Sequence, residues 1–111
     1  MTIQNNDVGI RFFGGDKDSG EVFVVETKAR AGHLLESHRH EHAHLSVLVS
    51  GSADVTVSGV TKRFDGYCLV AIPANSVHKV VAVTDIVWLC LWSSNAAPIK
   101  QAAESLNLVT G

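Results

Sequence analysis

The chain is short of the residues that build specialised scaffolds: in 111 residues it has two cysteines, two prolines, one methionine and one tyrosine. Two cysteines cannot make a disulfide framework, and Cys68 and Cys90 read as free thiols buried as small hydrophobes. No apolar run is long enough to span a bilayer. Nine Lys and Arg against eleven Asp and Glu give a formal net charge of −2, and the basic residues form no stripe. That argues against a nucleic acid or an anionic membrane as partner. The opening MTIQNNDVGIRFFGGDKDSG has no basic start followed by an apolar core, so a cytoplasmic setting is expected. What remains is 46% hydrophobic and 18% charged, globular values for one domain, with a small molecule as the expected partner.

From about residue 21 to residue 92 the chain is rich in β-branched and aromatic residues, punctuated by Gly, Asp, Asn, Pro and Ser. EVFVVET, LSVLVSG, ADVTVSG, VTKRF, YCLVAIP, HKVVAV and IVWLCLW each read as a short strand, and so many short strands predict an all-β barrel or sandwich. Ser58-Gly59, Asp65-Gly66 and Thr84-Asp85 carry turn chemistry and are expected to close hairpins. Only the tail APIKQAAESLNL has helix formers without β-branched residues at its centre. With Pro98 at a first helical turn, it predicts one short C-terminal helix. Gly14-Gly15 and Ser19-Gly20 set residues 1–19 apart as an N-terminal arm, leaving 20–111 as a single domain.

GHLLESHRHEHAHLSVLVSG, residues 32–51, holds five of the six histidines. His40-Glu41-His42-Ala43-His44 matches H-E-x-x-H, which binds zinc when it lies on a helix. Gly32 before it and Val47, Val49 and Gly51 after it favour a strand instead. On a strand, His38, His40, His42 and His44 share one face, and Arg39, Glu41, Ala43 and Leu45 the other. Straight strand would separate His38 from His44 by roughly 20 Å, whereas imidazole nitrogens sit about 2.0 to 2.1 Å from a metal. A single ion therefore requires the chain to bend between His40 and His44, which takes His42 out of the set. A solvated imidazole patch is the alternative reading. Against it, this face runs into a core strand, where imidazole nitrogens need a metal or partner groups to satisfy them.

This segment resembles the first motif of the cupins: G, five residues, H-x-H, three or four residues, E, six residues, G. Gly32, His38, His40 and Gly51 fall in register, and His44 stands at the glutamate position. GYCLVAIPANSVHKVVA resembles the second motif, G, five residues, P-x-G, two residues, H, three residues, N. Gly66, Pro73 and His78 match, with one extra residue after the glycine; Asn75 replaces the inner glycine and Ala82 the final asparagine. Asn tolerates the left-handed conformation best after Gly.

The resemblance implies a cupin-like β-barrel or double-stranded jelly roll with a divalent transition metal in its mouth, held by His38, His40, His44 and His78. It also implies a homodimer. Three histidines and a carboxylate suit Mn as well as Fe; four neutral imidazoles shift the preference toward Fe, Ni, Cu or Zn. Four protein ligands on an octahedral ion leave two positions for a small molecule, which implies a dioxygenase-type oxidoreductase. The alternatives are a non-catalytic cupin that binds metal or a small ligand, and a structural accessory protein. Parity from His78 turns Val80 and Ala82 inward, while the last strand offers either Trp88, Cys90 and Trp92 or Val87, Leu89 and Leu91. Arg39 and Glu41 are expected to face away from the metal, and His33 and His42 to be solvated loop residues.

Overall fold

A computed structural model of the chain describes residues 2–4, 8–37 and 43–93. Among these residues are ten strands: β1 (Thr2–Gln4), β2 (Val8–Gly14), β3 (Val22–Ala29), β4 (Leu34–Ser37), β5 (His44–Ser50), β6 (Ser52–Val57), β7 (Val60–Asp65), β8 (Cys68–Ile72), β9 (His78–Ala82) and β10 (Ile86–Ser93). They form two antiparallel sheets, one in the order β1-β2-β3-β10-β5-β8 and one in the order β4-β9-β6-β7. From β3 onward the chain passes repeatedly from one sheet to the other, the winding of a jelly roll.

Alternation explains why these segments form strands with one dry face. Phe23, Val25, Thr27 and Ala29 on β3, Ile86, Trp88, Cys90 and Trp92 on β10, and Ala53 and Val55 on β6 are buried. Each fully buried large apolar side chain contributes about 1.5 to 3 kcal/mol. Pairing arranges these residues in rows across the larger sheet. One row is Val25, Cys90, Ser46 and Val70, and the next is Thr27, Trp88, Leu48 and Cys68. Continuing the same register past Leu91↔Leu45 sets Trp92 opposite His44, between Phe23 on β3 and Ile72 on β8. At the other end of the β5–β10 ladder the register shifts between Val87 and Trp88, a bulge that leaves Val49 unpaired.

Seven of these strands follow the sequence patterns, and the departures have physical reasons. Ser58-Gly59 does close a hairpin, with Val57 opposite Val60 and φ of 48° and 82° at the two turn residues, as a type I′ turn requires. On that hairpin Arg63 makes two hydrogen bonds to Asp54 across the strands, and they hold the Asp54 carboxyl below the usual carboxylate range. Asp65-Gly66 and Thr84-Asp85 are not hairpins. They carry the chain from β7 to β8 and from β9 to β10, each in the opposite sheet. Turn chemistry marks a reversal of direction but not which sheet receives the next strand. Within the segment expected to form an N-terminal arm, Val8–Gly14 is β2, which pairs with β3 along its whole length, and Phe12 stacks on Phe23 with centroids 5.8 Å apart. The glycines around it had masked its alternation. The expected C-terminal helix lies outside the described residues.

Three crossings meet at Gly51, which joins β5 to β6 with φ of 87°. Its carbonyl accepts from Gly66 N at 2.9 Å, and a Cβ added there would collide with the backbone carbonyl oxygen of Asp85. Gly51→Ala therefore combines a left-handed conformation with a clash against backbone, whereas Gly59→Ala has the same conformational penalty but open space around it. Gly59→Ala is expected to cost about 1 kcal/mol and Gly51→Ala about 3 kcal/mol or more in urea denaturation. Equal midpoints for the two variants would contradict the crowding at Gly51.

Candidate metal centre

Two of the four predicted ligands are described, and they begin strands in different sheets. His44 is the first residue of β5 and His78 the first of β9. Both point into the space between the sheets, 7% and 6% exposed. Their ring centroids are 5.6 Å apart with planes 55° from each other. The chain changes sheet between Ser37, the end of β4, and His44, and the bend expected between His40 and His44 lies outside the described residues.

A turn aims His78. Asn75 takes the left-handed conformation (φ 58°) in place of the motif glycine, and the Ser76 hydroxyl donates to the Pro73 carbonyl at 2.6 Å. The Val77 carbonyl accepts from Ser58 N at 2.9 Å, which ties this turn to the β6–β7 hairpin. His78 Nδ1 lies 3.5 Å from the Ser76 carbonyl oxygen. That long contact favours a proton on Nδ1, and in this tautomer Nε2 carries the lone pair a metal needs.

The last strand presents its tryptophan face, which resolves the choice parity left open. Trp88, Cys90 and Trp92 are buried, whereas Val87, Leu89 and Leu91 are partly exposed on the outer face. Trp92 stacks on His44 with centroids 4.2 Å apart and planes 18° from parallel. One row deeper, the fully buried Ser46 hydroxyl donates to Cys90 Sγ at 3.6 Å. Burial pushes the Cys90 thiol above its usual pKa, so it stays protonated and unreactive. Val80 and Ala82 face inward as parity required. Among the described residues the buried polar side chains are Thr27, His44, Ser46, Ser76 and His78, and none is a carboxylate, lysine or arginine.

His38 and His40 lie outside the described residues, as do Arg39, Glu41 and His42. The chain enters that segment from Ser37, which pairs with His78, and leaves it through Ala43 into His44. Among the described residues, no three His, Cys, Asp or Glu side chains gather as a metal cluster. His33 is not brought to the other two histidines along β4. It precedes the end of β4 remote from His78, where its carbonyl accepts from Ala82 N at 3.0 Å. Trp92, on one of the two faces left open for the last strand, is the neighbour of a predicted ligand. Its parity with Trp88 was legible, but the adjacency of β10 to β5 was not.

No protein-family model matches the chain, and no characterised protein matches it in sequence. Solved structures do match. An RmlC-like cupin from Shewanella frigidimarina NCIMB 400 superposes at a TM-score of 0.75 with 21% identity, covering 90% of this chain and 86% of that one. KdgF from Halomonas sp. gives 0.70 with 18% identity over 82% and 83% of the two chains. Bacillus subtilis oxalate decarboxylase, described with Mn(II) centres, gives 0.73 with 18% identity over 84% of this chain but 27% of its own. At such identities the likeness is one of fold, and it agrees with the two sheets and their crossings. The fold of the chain is that of a small cupin domain.

Proposed function

We propose that the chain binds one divalent transition metal ion through His38, His40, His44 and His78, and that it acts as a dioxygenase-type oxidoreductase on a small molecule in a cytoplasmic setting. The observation that carries this reading is the approach of His44 and His78 from two sheets to 5.6 Å between centroids. Nitrogens ligate at about 2.0 to 2.1 Å, so two imidazoles on one ion have centroids within roughly 6.5 Å of each other. His38 and His40 belong to a five-residue segment whose flanking residues adjoin both of these histidines. The Mn(II) centres of oxalate decarboxylase support a divalent ion in this fold. Four neutral imidazoles favour Fe, Ni, Cu or Zn over Mn.

A bound ion would supply Lewis acidity and positions for a small ligand. The chain's own residues hold and shield it. His78 is oriented through the Ser76 carbonyl, and Ile72, Val80 and Ala82 contribute buried apolar surface between the sheets. With no carboxylate or lysine among the buried described residues, proton transfer falls to the substrate or to an imidazole, which favours an enolisable or phenolic substrate. The same lack of polar anchors favours the second reading, a cupin that binds metal and a small ligand without turnover.

The homodimer belongs to the same proposal, and the outer face of the six-stranded sheet supports it. Phe13, Val24, Leu91, Leu45 and Ala71 follow one another across five strands. Arg11, Glu26, Leu89, Val47 and Leu69 form the next row. Phe13, Leu45 and Leu69 are exposed, and the two charges in these rows pair with each other at 2.8 Å. A second copy would meet two apolar rows like its own, in which the charges of Arg11 and Glu26 cancel, with Lys28 in the row beyond. A Leu45→Lys, Leu69→Lys double variant is expected to sediment as a monomer where the parent sediments as a dimer. A parent that is already monomeric at micromolar concentration would contradict the dimer.

Alanine at His38, His40, His44 or His78 is expected to lower metal content more than tenfold, measured by mass spectrometry on protein purified without affinity resin. His42→Ala should keep it. Full metal in His78→Ala, or its loss in His42→Ala, contradicts the ligand set. Oxygen uptake with diketones, catechols, flavonols and thiols then separates the two readings. Uptake that is lost in His78→Ala supports the oxidoreductase, and metal-loaded protein that consumes no oxygen on any of them supports the binding module.

A further inference from the structure

A metal bound to an imidazole nitrogen lies in the plane of that ring, so the ring planes decide where an ion can sit. The planes of His44 and His78 are 55° apart and meet along a single line. An ion shared by both rings is confined to that line. His78 is oriented from its own strand by the turn at Ser76. His44 opens β5, with Ile72 on one side in the sheet and Trp92 on the other. The indole lies face-on at 4.2 Å and 18°, and the indole itself is buried, at 4% exposure. A flat wall at that distance opposes rotation of the imidazole out of its plane, which an aliphatic side chain of similar volume would not do.

We infer that Trp92 is a positioning residue of the metal centre, setting the plane of His44 and through it the affinity for the ion. This rests on the metal-binding reading above. The indole makes no bond to the ion; its flat face holds the ligand, as outer partners of metal-binding histidines do elsewhere through hydrogen bonds. Residue 92 is therefore under a constraint of shape as well as of volume. Phenylalanine keeps a flat face at the same place, whereas leucine keeps only apolar bulk.

The test is calorimetric titration of the metal-free full chain with Zn(II), comparing the parent, Trp92→Phe and Trp92→Leu, each with and without His44→Ala. Trp92→Leu is expected to weaken Zn(II) binding about 10- to 100-fold, the range for losing an outer partner of a metal-binding histidine. Trp92→Phe should stay within about threefold of the parent, because stacking survives. In the His44→Ala background Trp92→Leu should add no further loss. Parent-like affinity in Trp92→Leu, or the same loss with and without His44, overturns the role of Trp92. A parent chain that takes up no Zn(II) overturns the metal reading itself, so the two failures are distinct. Should Trp92→Leu not fold, Trp92→Met, flexible and without a flat face, is judged by the same outcomes.

Discussion

The antiparallel register between β5 and β10 is the constraint on which the rest of the site depends. It places Cys90 opposite Ser46 and, one inward step along, Trp92 opposite His44. A slip of one residue would turn His44 and Ser46 to the outer face and bring Leu45 and Val47 into the core. Two features oppose such a slip. The Ser46 hydroxyl finds its acceptor in Cys90 only in this register, and a buried hydroxyl without a partner is costly. At the far end the bulge at Val49 and the crowded Gly51 fix where β5 stops pairing and the chain turns into the other sheet.

The second sheet supplies what the first cannot. β9 begins at His78, and the turn before it is held by hydrogen bonds of its own rather than by the core, so the ring is delivered to the gap between the sheets from a fixed starting point. Below the two histidines the interior is apolar apart from the hydroxyls of Ser46 and Thr27, and among the described residues it contains no carboxylate, lysine or arginine. A divalent ion there would keep its full charge and attract anionic or enolisable ligands, while the apolar surroundings limit competing water. A core of this extent is expected to hold the fold without an ion. Phe23, Leu48, Ile72, Val25 and Val55 are all but completely buried and belong to four different strands, β3, β5, β6 and β8.

Most of the strands were legible because alternation of Val, Ile, Leu and Phe survives in short stretches such as VFVVET and HKVVAV. β2 was hidden by glycines at both of its flanks, and β4 by two adjacent leucines, one exposed and one partly buried, that break the period of two. Of the site, His44 stood out by its place in the histidine run and His78 only through the resemblance to the second cupin motif, while the expectation of a bend before His44 came from strand rise and metal–nitrogen bond lengths. The partner of His44 was not visible, since Trp92 lies 48 positions along the chain and only the strand order brings β10 beside β5. For the same reason Asp65-Gly66 and Thr84-Asp85 looked like hairpins. Local turn chemistry is written in neighbouring residues, but the choice of sheet is made by long-range burial.

The claim at the centre of this account is that imidazoles from both sheets share one ion. X-ray absorption at the edge of whichever transition metal the purified chain retains tests it most directly. Imidazoles sharing one ion would give a shell of nitrogen at about 2.0 to 2.2 Å with the outer-shell scattering of three to four rings, falling by one ring in His78→Ala reloaded with excess of the same metal. A spectrum with oxygen neighbours only, or one unchanged in His78→Ala, would contradict it.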